Sequence, residues 1–145
     1  MRLSLATRRW LARLTAPRRR KPAGKKRHAA AALKAPRLRL LGTRGKLRIY
    51  EVDSSATRKL YGDWTMGGHD LVYAEFVGKN EVWIADEVKG FERKLTTLHE
   101  LNERRLMAHG MDYDTAHDKS TALEQRYRKA NGRGLDEALR KECGQ

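Results

Sequence analysis

The spacing of apolar residues changes along the chain and separates a strand-like part from a helical part. Residues 46–52 alternate polar with apolar side chains, which predicts a β-strand. Two further β-rich runs, 70–77 and 81–85, flank a Gly-Lys-Asn turn at 78–80. A short turn between two such runs is typical of a hairpin, so the pattern predicts a small antiparallel sheet.

After residue 90 the apolar residues recur every three to four positions. This spacing predicts one helix over 91–108 and a second over 113–130, because it lines one face of a helix. Gly110 suits the end of the first helix, and Asp112 suits the start of the second. A last short helix is predicted over 135–143. The expected fold is therefore α+β, with a small antiparallel sheet followed by an antiparallel helix pair.

Positive charge is concentrated in the first third of the chain. Residues 1–50 contain 17 Lys and Arg and no Asp or Glu, whereas residues 51–145 contain 15 basic and 18 acidic residues. The net charge of +14 therefore comes from the N-terminal part alone. Runs of Pro, Ala, Lys and Arg continue to about residue 41 and are typical of a solvated chain. We expect a basic, largely disordered arm over 1–41 and one folded domain over 42–145.

Three functions fit the basic arm. The first is a solvated tail without a partner. The second is non-specific attraction to nucleic acid or another polyanion, including anionic lipid, which needs charge density but no fold. The third is organelle targeting, because residues 1–16 can form an arginine-rich amphipathic helix that ends at Pro17. We expect a cytoplasmic protein of a bacterial host, with organelle targeting as the alternative.

Composition excludes several classes of protein. The chain has 145 residues, enough for one domain, and its one cysteine, Cys143, excludes an internal disulfide and a cysteine-based zinc finger. No run approaches the roughly 18 apolar residues that a membrane-spanning helix needs. The sequence also lacks a Gly-rich phosphate-binding motif and a nucleotide fingerprint.

The predicted helix pair carries a set of histidine and glutamate residues that suits a metal ion. His99 and Glu103 are four residues apart and lie on one face of the first helix. The turn at Gly110 brings His117 of the second helix toward them. Two imidazoles and one carboxylate are a ligand set used by catalytic zinc, with a fourth position left for water. We therefore expect a zinc site, and its alternative is an exposed, charged helix face without chemistry.

Two further glutamates belong to this predicted site. Glu100 lies roughly 100° around the helix from His99, so it can face a metal-bound water molecule as a general base. Glu124 lies seven residues after His117 on the same face and is expected to be a further ligand or a carboxylate that orients His117. His69 follows two glycines and can approach the site, but a solvated loop histidine is the favoured interpretation.

A string of residues spread over 81–124 carries a resemblance to known proteins. It consists of Glu81-Val-Trp-Ile-Ala-Asp86, Glu92-Arg93, Leu98-His-Glu-Leu-x-Glu-Arg-x-Leu-Met, Gly110-Met-x-Tyr113, Ala116-His117 and Glu124. This string resembles a group of small uncharacterised proteins of phage and bacterial genomes that look like minimal zincin-type metallopeptidases. The resemblance covers about residues 67–128. It implies that the residues of the first-helix motif and His117 form one site, although the motif is H-E-x-x-E where established zincins have H-E-x-x-H.

The favoured function is a small zinc-dependent hydrolase of the peptidase type, with an extended peptide bound along strand 81–85. Two alternatives stay open. In one, the protein associates with nucleic acid through its arm, and the metal is structural. In the other, it is a phage structural or accessory protein in which the histidines and glutamates only link the two helices. Metal content separates the last alternative from the other two, and the salt dependence of nucleic-acid binding tests the arm.

Overall fold

The computed structural model describes residues 37–142, and the predictions for residues 1–36 and for Cys143 lie outside this range. Four strands and four helices form an α+β fold, as predicted. Strands β1 and β2 form a hairpin, α1 follows β2, and β3 and β4 lead into the helices α2, α3 and α4. The bounds are β1 Arg37–Arg44, β2 Leu47–Val52, α1 Ser54–Leu60, β3 Gly67–His69, β4 Glu81–Ala85, α2 Gly90–Ala108, α3 Tyr113–Lys129 and α4 Leu135–Glu142.

The sheet is mixed, so the prediction of a fully antiparallel sheet is wrong. Its strand order is β1-β2-β4-β3. The β1–β2 and β3–β4 pairs are antiparallel, but β2 and β4 run parallel. Since α1 and β3 lie between β2 and β4 in the chain, the connection is long enough to bring β4 back in the direction of β2.

The predicted strand over 70–77 is also wrong. This segment forms turns, and the antiparallel partner of β4 is the three-residue strand β3. Its buried apolar residues are Tyr73, Phe76 and Val77, which are spaced three and four apart rather than alternating. The amides of Phe76 and Val77 donate to the carbonyl of Tyr73 at 3.1 and 2.9 Å. The segment therefore buries its apolar side chains through a series of turns packed against the sheet.

Strand β1 begins within the segment that the sequence assigns to the arm. Residues 37–41 form the first part of β1, so the folded domain includes residues that the sequence assigns to the arm, and the predicted start at residue 42 is too late. The guanidinium of Arg37 donates to the buried carboxylate of Glu81 in β4, with Nη2 2.9 Å from Oε2. This ion pair connects the outer strand to the centre of the sheet.

The hydrophobic core lies around β4, which is buried along its whole length. Trp83 and Ile84 are fully buried there, and Phe76 packs against Trp83 with ring centroids 5.9 Å apart. A second apolar cluster joins Leu95 and Leu98 of α2 to Leu135 of α4. Helix α2 therefore lies between the sheet and the other helices, and its buried face is where the site forms.

The helix pair matches the predicted elements closely. The helices span Gly90–Ala108 and Tyr113–Lys129. Gly110 adopts a left-handed φ of 96°, which favours glycine after a helix. Asp112 caps the following helix, since its carboxylate accepts a hydrogen bond from the amide of Thr115 at 3.0 Å. The short connection reverses the chain and packs α3 against α2.

No helix within residues 37–142 has the length and apolar character that a bilayer-spanning segment requires.

Two truncations test the position of the domain boundary. Deleting residues 1–36 is expected to change the Tm by only a few degrees, because residues 37–142 form the sheet and both apolar clusters. Deleting residues 1–41 removes the first part of β1 and leaves Glu81 without Arg37. We expect that change to lower the Tm by on the order of 10 °C. Thermal unfolding followed by circular dichroism measures both values, and equal values would contradict a stabilising role for residues 37–41.

Candidate metal centre

The buried face of α2 is unusually polar at its centre. His99, Glu100 and Glu103 are 3%, 1% and 1% exposed, and His117 of α3 is 5% exposed. Burying carboxylates is costly unless hydrogen bonds or a cation compensate their charge. These four polar side chains therefore lie in the interior of the protein. The alternative prediction, that they form an exposed charged helix face, is wrong.

Three of the predicted ligands converge on one point. Glu103 Oε2 lies 3.2 Å from His99 Nε2 and 2.8 Å from His117 Nδ1, and the two nitrogens are 3.3 Å apart. A zinc ion with tetrahedral ligands at 2.0–2.1 Å places those ligands about 3.3 Å from one another. The three atoms thus have nearly the mutual spacing that one zinc ion imposes. His99, Glu103 and His117 form a buried group that could hold a metal ion.

Glu124 lies beside this group but on the far side of His99. Its Oε2 is 3.2 Å from Nδ1 of His99, whereas Nε2 is the atom that faces Glu103 and His117. A carboxylate at Nδ1 keeps the proton on that nitrogen, so Nε2, which faces the three-residue group, is the nitrogen that can give up its proton to bind a metal ion. The structure therefore places Glu124 where it orients His99, and the group of three ligands does not include it.

His69 is a site residue for which the sequence pattern favoured the other of its two interpretations. It lies at the end of β3, is fully buried, and places its Nε2 2.9 Å from Oε1 of Glu103. Its interpretation as a solvated loop histidine is wrong. The signal in the sequence is the pair of glycines before it, because a Cβ on Gly67 would lie 3.2 Å from the Glu100 side chain. Glycine lets β3 approach α2 closely enough for His69 to reach Glu103.

Glu100 faces β3 rather than α3. Its carboxylate belongs to a second buried group with His69 and Glu103, in which one ligand atom of each residue lies within 4.8 Å of the others. The first group, with His99 and His117, does not include it. Glu103 is shared by both groups, so Glu100 is next to the predicted metal position without being one of its three ligands.

The carboxylates give the site a negative potential that favours positive charge. Burial of the His99 ring opposes its charged form. Hydrogen bonds to Glu103 and Glu124 and the charge of Glu100 outweigh burial and raise the pKa of His99 to about 10. Burial likewise favours the neutral form of Glu103, but hydrogen bonds from His117, His69 and His99 hold the pKa of Glu103 well below its usual range. The site is therefore arranged to stabilise a cation.

Two side-chain contacts outside the group of histidines and glutamates hold β3, α2 and α3 together. Arg104, which follows Glu103, donates from Nε to the carboxylate of Asp70 at 2.7 Å, and Asp70 follows His69. This ion pair runs beside the His69–Glu103 contact and connects the end of β3 to α2. Asn102 donates to Oγ of Ser120 at 3.0 Å and connects α2 to α3. The backbones that position the histidines are thus joined on both sides of the site.

Comparison with known proteins adds no relative: no family model, no curated protein and no solved structure matches the chain. The function must therefore be argued from the site itself.

Proposed function

We propose that the domain binds a divalent metal ion, by preference zinc, and acts as a metal-dependent hydrolase. His99 and His117 supply imidazole nitrogens, and Glu103 supplies one carboxylate oxygen. The observation that carries the proposal is the convergence of these three atoms at 2.8–3.3 Å inside the protein. Two nitrogens and one oxygen suit zinc better than calcium or magnesium, which prefer all-oxygen ligands.

The residues around the ligands supply the remaining parts of a hydrolytic site. A bound zinc ion lowers the pKa of a coordinated water molecule to about 7. Glu100 is the buried carboxylate next to the ligands, and we assign it the role of accepting the proton of that water. Glu124 holds the proton on Nδ1 of His99, which keeps Nε2 available as a ligand. An amide of a peptide is the proposed substrate, on the basis of the zincin-like motif.

The predicted route for binding a peptide is wrong, however. Strand β4 spans Glu81–Ala85 and lies between β2 and β3, so both of its edges are already paired. An added peptide strand cannot bind there. The proposal therefore keeps the peptide substrate but not its docking along residues 81–85.

Chelation tests the proposed activity. The purified protein is expected to hydrolyse members of a mixed peptide library, to lose this activity after dialysis against a chelator, and to regain it with stoichiometric zinc. Mass spectrometry of the library reports each cleavage and its position. Full zinc occupancy without cleavage would contradict the hydrolase and favour the alternative in which the metal only links α2 and α3.

A second candidate function concerns the basic N-terminal segment. Residues 1–36 contain 12 Lys and Arg and no Asp or Glu, and the β1–β2 hairpin adds five more basic residues. This concentration of charge supports non-specific binding of nucleic acid or another polyanion. It is independent of the metal centre, so both functions can belong to one chain.

Salt dependence tests this second function. If the segment contacts about six phosphates, affinity for duplex DNA should fall about 10³-fold between 50 and 200 mM salt. Fluorescence anisotropy with a labelled duplex measures the affinity at each concentration. A protein that starts at residue 37 is the matched control and should bind far more weakly. Equal binding by both proteins, or binding that ignores salt, would contradict the assignment.

A further inference from the structure

The two oxygens of Glu103 face opposite sets of histidines. Oε2 is the atom next to His99 and His117, whereas Oε1 is 2.9 Å from Nε2 of His69. A carboxylate arranged in this way can bind one cation with each oxygen. The proposed zinc site uses only Oε2, so Oε1 and the residues around it are not explained by that site.

We propose that a second divalent cation binds between His69, Glu100 and Glu103, with Glu103 bridging the two ions. The three residues are 0–1% exposed, and their ligand atoms lie within 4.8 Å of one another. This site would offer one imidazole and two carboxylates, whereas the zinc site offers two imidazoles and one carboxylate. The second set therefore contains more oxygen ligands, which harder metal ions prefer. Carboxylate-rich sets suit manganese and magnesium, and the imidazole favours manganese of these two. The proposal rests on the zinc site of the proposed function.

The charge of the region supports a second ion. Glu100, Glu103 and Glu124 face the cluster, and one divalent ion offsets two of these three carboxylates. Arg128 contacts Glu124 at 3.1 Å, but it also forms two hydrogen bonds to Glu92 and is half exposed. Its charge is thus shared with another acid and partly screened by solvent. A second ion would lie against Glu100 and Glu103, whose side chains are both buried.

The ring of His69 faces the shared carboxylate through Nε2. This nitrogen is buried and lies 2.9 Å from Oε1 of Glu103, so it is the atom that can bind the second ion. Within residues 37–142, Nδ1 on the other side of the ring is buried and has no hydrogen-bond partner. Buried polar atoms are nearly always satisfied, so we expect a water molecule beside Nδ1 that holds the proton there and leaves Nε2 to bind the ion.

A second ion would change the class of site. Ions that share a carboxylate in two-metal hydrolases lie about 3.5–4 Å apart and contact both the attacking and the leaving oxygen. Glu100 would bind the second ion through one oxygen and keep the other to accept a proton. The zinc ligands would be unchanged. The two ions can thus be removed separately by substitution.

Sequential loading tests the second site. Full-length protein is first loaded with one equivalent of zinc and then dialysed against Mn²⁺, which does not displace zinc from nitrogen ligands. Elemental analysis is expected to give one zinc and one manganese per chain. Glu100→Gln and His69→Gln should each lose the manganese and keep the zinc. His109→Ala is the matched control, because His109 is an exposed residue at the end of α2 and should keep both.

The outcomes separate the two proposals. One zinc and no manganese in the unaltered protein would overturn the second site and leave the proposed function standing. Manganese that persists in both Glu100→Gln and His69→Gln would also overturn it, since the ion would then bind elsewhere. A protein that takes up no zinc would overturn the zinc site, and the second site with it. If a variant fails to fold, the metal ratio of the unaltered protein still decides.

Discussion

Zinc is expected to raise the Tm of the metal-free protein by on the order of 10 °C. A ligand that binds only the folded state at about 100 times its Kd adds about 2.7 kcal/mol to the free energy of unfolding. For a domain of this size each kcal/mol corresponds to roughly 4–8 °C. The ligands come from α2 and α3, which are separate in the unfolded chain, so the unfolded state should bind zinc far more weakly.

His117→Ala should abolish this shift. The substitution removes the only ligand from α3 among the three convergent residues, and it leaves Glu103 with fewer hydrogen bonds in the interior. Differential scanning calorimetry with and without zinc measures the shift in each protein. His109→Ala is the control, because it removes an exposed imidazole and should respond to zinc as the unaltered protein does. An equal shift in His117→Ala would show that zinc binds elsewhere.

Glu100→Gln should lower the rate of hydrolysis by about 10²–10⁴-fold. The amide has nearly the shape of the carboxylate but cannot accept a proton from the attacking water. Glu100 is not one of the three convergent zinc ligands, so zinc content and Tm in zinc should change little. The matched variant Glu92→Gln removes an exposed carboxylate from the same helix and should retain full activity.

The expected pattern for Glu100→Gln is therefore a protein that is loaded with zinc but inactive. Steady-state assays on one peptide found in the library give kcat and KM for both variants. In protein loaded with zinc alone, a fall in kcat without loss of zinc supports a role in proton transfer. Unchanged kcat would refute that role for Glu100, and loss of zinc together with activity would make it a zinc ligand instead.

The sequence predicted the helical half of the protein well because long periodic segments are governed by local rules. The bounds of α2 and α3 agree with the 91–108 and 113–130 predictions within one residue, and their connection has the expected Gly110 and Asp112. An i, i+4 pair on a helix is fixed by helical geometry alone. His99 and Glu103 could therefore be recognised as neighbours before any tertiary structure was known.

The sheet was predicted less well because its pairing depends on contacts distant in sequence. Strand β3 has only three residues and no apolar side chain, so no alternation marks it. The apolar run at 70–77 is rich in β-forming residues, but it coils because Tyr73, Phe76 and Val77 share one buried side. Tertiary packing overrode local propensity in both segments.

The same limit explains the errors at the site. His69 reaches Glu103 across 34 residues of sequence, through a strand that was not predicted. Glu124 shares a face of α3 with His117, which suggested that it would serve that histidine. The packing of α3 against α2 places its Oε2 3.2 Å from Nδ1 of His99, which the spacing along one helix could not reveal. Residues on one helix could be grouped from spacing, but their partners on other elements could not.

The central claim is that His99, Glu103 and His117 hold a metal ion, and the zinc content of the purified protein tests it most directly. Protein expressed in zinc-supplemented medium is passed over a weak chelating resin, and elemental analysis gives the zinc-to-protein ratio. We predict one zinc per chain in the unaltered protein and none in the His99→Ala, His117→Ala double variant, with circular dichroism confirming that the variant is folded. Stoichiometric zinc in the double variant, or none in the unaltered protein, would contradict the account.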